Sequence, residues 1–359
     1  MESTFLHTSD GIYVCGSNDS GQLGLGHNKE VNTLTKLNFD HKIYYSYISY
    51  HVFLYTSDGY YVIGSNECGQ LGMGDTKHFY NITKFKFDHE IYSLSKGDYH
   101  TYFITSDGVY VCGENEGDEL RMNIEGDIFI PIKLEFEHQV HSIYSSSTHA
   151  FFMTSDGVYA RGKNYNGELG LGHRNEFDGF VKLEFPYEIY SIVCNLGCTY
   201  FITSDGVYVC GSNMCNRFGL TGYDEIIVNP LKLTFEHEIK SIKSTLYSTF
   251  FISDQVTYAC GYNNQGQLGL GEKKTIDKPT PIPFKHKVYD IFAKHFHTFF
   301  ATEDGLYTCG DNYYGKLGLG DEYKHLKKIC VPTKVNFDHQ VYCDGIPYDR
   351  FKKTKSSRN

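Results

Sequence analysis

Histidines beside carboxylates are the residues of this chain whose types could do chemistry, and they recur as Phe39-Asp40-His41, Phe87-Asp88-His89, Phe136-Glu137-His138, Phe235-Glu236-His237 and Phe337-Asp338-His339. An imidazole next to a carboxylate can relay a proton or hold a divalent metal. The triplets stand at matching points of a repeat, however, so each belongs to a separate structural unit and shared coordination is not expected; they read as turn or strand-end histidines. The densest thiol group is Cys194 and Cys198 with Cys210 and Cys215, which lacks the paired Cys-x-x-Cys knuckles of a zinc site. The string Gly-Gln-Leu-Gly-Leu-Gly at 21–26 imitates a phosphate-cradling loop, but it recurs along the chain and no Lys-Ser/Thr follows it. Neither a Gly-x-Ser-x-Gly elbow nor a His-Glu-x-x-His pair occurs. No catalytic, cofactor-binding or metal-ligating residue is expected.

The elements that carry these residues are strands. Tyr (31) and Phe (26) are abundant and Ala is confined to five positions, a composition that favours sheet over helix. Strings of the form Asp-Gly-x-Tyr-x-x-Gly-x-Asn begin at Asp10, Asp58, Asp107, Asp156, Asp205, Asp254 and Asp304, the sixth with Gln255 in place of Gly and one extra residue. In His-Thr-Tyr-Phe-Ile-Thr-Ser-Asp-Gly-Val-Tyr-Val-Cys-Gly-Glu-Asn (100–115), two apolar runs flank Asp107-Gly108. Asp-Gly accepts the positive φ angles of a type I′ turn, so a tight hairpin is expected there. Most copies then carry the glycine-leucine cassette, which should form a compact turn dropping Leu23 and Leu25 into an apolar gap. A second pair of strands follows, as in 131–136 and 140–146.

Four short strands per unit make a blade. A lone four-stranded sheet leaves two apolar faces wet, whereas blades stacked round an axis hide them. The expected fold is therefore all-β: a seven-bladed β-propeller of four-stranded antiparallel blades spanning residues 1–348, with 349–359 a short basic tail expected to be disordered. Residues 3–9 match the strand that precedes every later Asp-Gly, and the last unit lacks that strand. The N-terminal strand should complete the final blade and close the ring.

The hairpin, the Tyr-x-x-Gly-x-Asn run, the Gly-Gln-Leu-Gly-x-Gly cassette and a His seven residues before the next Asp (His51, His100, His149, His297) together resemble the regulator of chromosome condensation repeat. The resemblance covers about residues 3–345. It departs from the family where an aromatic before the blade's Gly is replaced by Cys15, Cys112, Cys210, Cys260 and Cys309, by Ile63 and by Arg161. The cassette is lost at 117–123 and broken at 214–222. What the resemblance implies is a protein-binding platform or, alternatively, guanine nucleotide exchange on a Ran-like small GTPase. In the latter a wedge-like hairpin from one blade disturbs the nucleotide site; the only excess length here lies between Asp321 and Val331. The family's light-sensing branch needs clustered tryptophans, and Trp is absent.

The formal net charge is −10, and Arg350, Lys352, Lys353, Lys355 and Arg358 of the tail leave −15 on residues 1–349. Such a body repels nucleic acid and favours basic protein surfaces. No run of apolar residues is long enough to span a bilayer and the N-terminus lacks a secretory pattern, so an intracellular monomer without membrane association is expected, its thiols reduced. Partner contacts are expected in the divergent loops: Glu119, Arg121 and Met122 of the third unit, Arg217 and Tyr223 of the fifth, and Tyr323, Lys324 and His325 of the seventh.

Overall fold

Each Thr-Ser-Asp-Gly run turns the chain back on itself. Strand His51–Thr56 pairs residue for residue with Gly59–Gly64, from Thr56 opposite Gly59 to His51 opposite Gly64. The two loop residues are thus Ser57 and Asp58, one step before the expected pair, and neither has positive φ; Gly59, already in the strand, takes +116°. The turn is not type I′. The Thr56 hydroxyl organises it instead, donating to Asp58 Oδ1 at 2.6 Å and to the Gly59 carbonyl at 2.9 Å. Side-chain capping of this kind selects a turn that Asp-Gly propensity alone would not.

The computed structural model describes residues 3–342 apart from 9, 116–119, 121, 123, 178, 223–224, 324, 338 and 340. Its strands form seven four-stranded antiparallel sheets. Blade 2 runs Ile43–Ile48, His51–Thr56, Gly59–Gly64, Phe79–Lys84 from axis to rim, and blades 3 to 7 repeat the order. The outermost strands carry Pro131, Pro230, Pro279 and Pro332, which remove ladder donors and blunt the exposed edge.

Blade 1 closes the ring. Its axial strand, Val341–Tyr342, comes from the C-terminal end, and its other three, Ser3–Thr8, Gly11–Gly16 and Val31–Lys36, from the N-terminal end. His7 pairs with Tyr342 and Thr8 with Val341, as expected of a clasp. Phe5 and Leu6 on the clasp are 3% and 0% exposed.

Successive blades are joined by aromatic edges and by a polar latch. Phe53 meets Phe103 at 5.7 Å, Phe151 meets Phe201 at 5.4 Å, and Phe250 meets Phe300 at 5.9 Å, all edge to face. Beside them, the buried His51 ring hydrogen-bonds Thr101 Oγ1 of the next blade at 2.9 Å, His149 bonds Thr199 at 2.8 Å, and His297 reaches Thr4 across the closure at 3.5 Å. Cys15, Cys112, Cys210, Cys260 and Cys309 fill the interior as small apolar groups.

Candidate functional site

Antiparallel alternation gives the ring two unlike faces. One, the cassette face, gathers the glycine-leucine cassettes and the turns after the axial strands; the other, the hairpin face, gathers the Ser-Asp hairpins and the rim-to-axis connections.

On the cassette face the repeated Asn is a staple. Asn66 Oδ1 accepts from Leu71 N at 2.9 Å while its amide donates to the Asp75 carbonyl at 2.7 Å, and Asn18, Asn164 and Asn263 do the same. The staple forces Leu23, Leu71, Leu169 and Leu268 fully inside; Leu25 is only half-buried. Within the cassette, Gly69 has φ +77°, and a Cβ there would lie 2.8 Å from the Phe129 backbone of the next blade. Blade 5 puts Asn216 at this point with φ 57°, Asn being the residue after Gly that best tolerates it.

The predicted contact residues separate. Glu119, Arg121, Tyr223 and Lys324 lie outside the described residues. Arg217 is 1% exposed: it occupies the interior slot held by Gln22, Gln70 and Gln267 elsewhere and donates to the Leu196 carbonyl at 3.1 Å, beside the Cys198 sulfur. It is a packing residue and not the surface contact that its divergence suggests. Met122 is half-buried against the core of blades 2 to 4, and its backbone N–H donates to Asn115 Oδ1. Tyr323 ends a short 3-10 turn, Asp321–Tyr323, and packs on the core of blade 7. His325 alone among them is described and exposed.

The hairpin face holds the histidine triplets and shows what they do. His41, His89, His138 and His339 each approach the Asp of a neighbouring hairpin, at 3.4 Å to Asp58, 3.1 Å to Asp107, 3.2 Å to Asp156 and 3.2 Å to Asp10. A Lys from the rim strand joins them, as Lys84 to Asp58 at 2.7 Å, and a Tyr hydroxyl donates to the same carboxylate, as Tyr61 at 2.9 Å. The Lys84 ammonium, the Thr56 hydroxyl and the Tyr61 hydroxyl, in that order, hold the Asp58 carboxyl far below the ordinary carboxylate range. Each cluster is electrically satisfied within itself and pins a hairpin to its neighbouring connection.

Charge left over on this face is concentrated in one arc. Four consecutive rim-to-axis connections, from blade 2 to blade 6, expose Asp88, Glu90, Glu135, Glu137, Glu184, Glu188, Glu236 and Glu238, against Lys86 and against Lys240, which pairs with Glu238. Tyr92, Tyr187 and Tyr190 stand exposed among them, Tyr92 at 61%. The next connection, into blade 7, carries Lys285 and Lys287 instead. The acidic residues of the arc stand largely in the repeated triplets, in loops that keep the repeat, so divergence between units does not mark them. Among the described residues no helix is long and apolar enough to cross a membrane.

Seven radial blades of Asn-stapled, hairpin-led repeats define a β-propeller of the chromosome-condensation type. The family model for the RCC1-like domain matches residues 11–346, and the chain belongs to that family. Human WBSCR16 is similar in fold, with a TM-score of 0.77 at 20% identity over 91% of this chain and 95% of that one. Prp20p of Saccharomyces cerevisiae, studied for its binding to Gsp1p and histones, gives a TM-score of 0.78 at 20% identity over 93% and 88%. Yeast RCC1 (Prp20) bound to Kap60 gives 0.76 at 19% identity over 93% and 85%. A comparison with curated protein sequences finds no match.

Proposed function

We propose that the protein is a non-catalytic interaction scaffold whose hairpin face captures a basic protein segment. The acidic arc with its exposed tyrosines carries this reading: carboxylates steer a cationic partner, and Tyr rings offer both apolar area and cation–π contact. The rigid ring holds these loops in place, so little ordering is lost on binding. The expected partner is cationic over a stretch long enough to reach several blades.

Crosslinking in the native cell, followed by capture with wild type and with a Glu135→Lys, Glu137→Lys, Glu184→Lys variant, tests it. The scaffold reading expects a reproducible partner whose binding weakens with salt and falls at least tenfold in the variant. A partner held equally by both proteins would overturn it.

A second reading, guanine nucleotide exchange on a Ran-like small GTPase, draws support from the likeness to Prp20p, whose binding to Gsp1p is on record. The segment with excess length weighs against it, because Asp321–Tyr323 folds back and packs Tyr323 inward. Release of labelled GDP from a panel of small GTPases decides: acceleration at micromolar protein would replace the scaffold reading with this one.

A further inference from the structure

We propose that the axial funnel on the cassette face is a binding site for a small anionic ligand, gripped through its oxyanion by Lys294. The funnel is a cavity of about 340 Å³ walled by the turns that follow the axial strands of blades 2 to 7. That size suits a metabolite or an inorganic oxyanion.

The charges in it are not equally satisfied. Asp98 accepts Ser49 Oγ from blade 2 at 2.9 Å on one oxygen and Ser147 Oγ from blade 4 at 2.5 Å on the other. It is a clamp across three blades and has little left to offer a cation. The Lys294 ammonium, in contrast, has no hydrogen bond or ion pair among the described residues, with Asp98 the only charge favouring its protonation, and burial depresses its pKa. An ammonium held in a polar cavity without a partner is a place for an anion.

The repeat shows that this lysine is not needed for the turn. Lys294 N–H donates to the His297 carbonyl at 2.9 Å, the same closure made by Gly97 to His100, Ser146 to His149 and Thr245 to Ser248. Three blades build the turn with Gly, Ser or Thr, and one builds it with a long cation pointed at the cost of its own solvation. Residues that break a local rule without structural return mark function. The walls are fixed by internal bonds, Ser146 Oγ to His149 at 3.0 Å and Thr245 Oγ to the Ser248 carbonyl at 3.2 Å, so the site is preformed.

Calorimetric titration of the full chain with inorganic phosphate, glycerol 3-phosphate and citrate, at constant ionic strength, tests the site. Expected is saturable binding of at least one probe, weakened tenfold or more by Lys294→Thr, which copies the residue of blade 6, and unchanged by Lys285→Thr on the opposite face. The Glu135→Lys, Glu137→Lys, Glu184→Lys variant should bind the probe as wild type does, which separates this site from the protein-binding arc. Absence of saturable binding by all three probes overturns the proposal, as does binding that Lys294→Thr leaves intact. Loss of protein capture in Lys294→Thr without any small-anion binding overturns it too, by giving the funnel to a partner side chain.

Discussion

Single residues hold this ring together through buried polar groups. His100 is 1% exposed and neither ring nitrogen has a hydrogen-bond partner among the described residues, because the blade that should supply a threonine hydroxyl has Ala150 where its neighbours have Thr101 and Thr199. Ala150→Thr should complete the latch and raise stability by about 1 kcal/mol, read as a higher urea midpoint; an unchanged or lower midpoint would show that His100 is not waiting for that hydroxyl. Burial holds His100 at about 4 and His149 and His297 at about 3, so these rings stay neutral in the folded ring while the unfolded chain takes up protons near pH 6.5. Their contribution is complete above pH 6.5 and is lost as pH falls from there toward 4 for His100 and toward 3 for His149 and His297. Denaturation midpoints measured from pH 7.5 down to 5 should decline, and His149→Gln should flatten the slope. At this scale the sequence was legible only in part: the recurring His and Asn stood out, but their roles as latch and staple depend on which blade faces which. Arg217 diverges at a repeat position filled by Gln22 and Gln70 elsewhere, and divergence does not imply exposure there because the position is an interior one.

Elements show the same mixture. The alternation that predicted hairpins placed the strands correctly, and the second strand pair falls at Ile128–Lys133 and Val140–Ser145, near 131–136 and 140–146. The turn type was missed because Thr56 and its counterparts organise the loop from the preceding strand, a side-chain effect that dipeptide preference does not contain. Cassettes are the most demanding element. Gly69→Ala should destabilise by roughly 2 kcal/mol or more, from the left-handed backbone together with the clash against Phe129, whereas a Gly59→Ala change, with open space at its Cβ, meets only the backbone term. Equal losses for the two, by chemical denaturation, would mean that blade-to-blade contact at the cassette is unimportant. Leu71→Ala, emptying a site that is 0% exposed, should lose about 2–5 kcal/mol.

The whole molecule is a ring whose two faces can be charged independently because blade stacking, not loop chemistry, sets the fold. The acidic arc spans connections from blade 2 to blade 6, and the funnel collects turns from six blades, so neither surface exists until the circle is shut. Closure was visible in the sequence because residues 3–8 repeat a strand found ahead of each hairpin. The acidic residues of the arc stood in the repeated triplets and were masked by their regularity, whereas the funnel was hidden because it arises only when turns far apart in the chain are brought round one axis. Hydrogen exchange at the amides of Ser3–Thr8 measures the clasp directly. Shut by pairing with Val341–Tyr342 on one side and Gly11–Gly16 on the other, that strand should exchange as slowly as His51–Thr56 of blade 2. Exchange as fast as that of a free chain end would contradict a closed ring, and with it both surfaces proposed here.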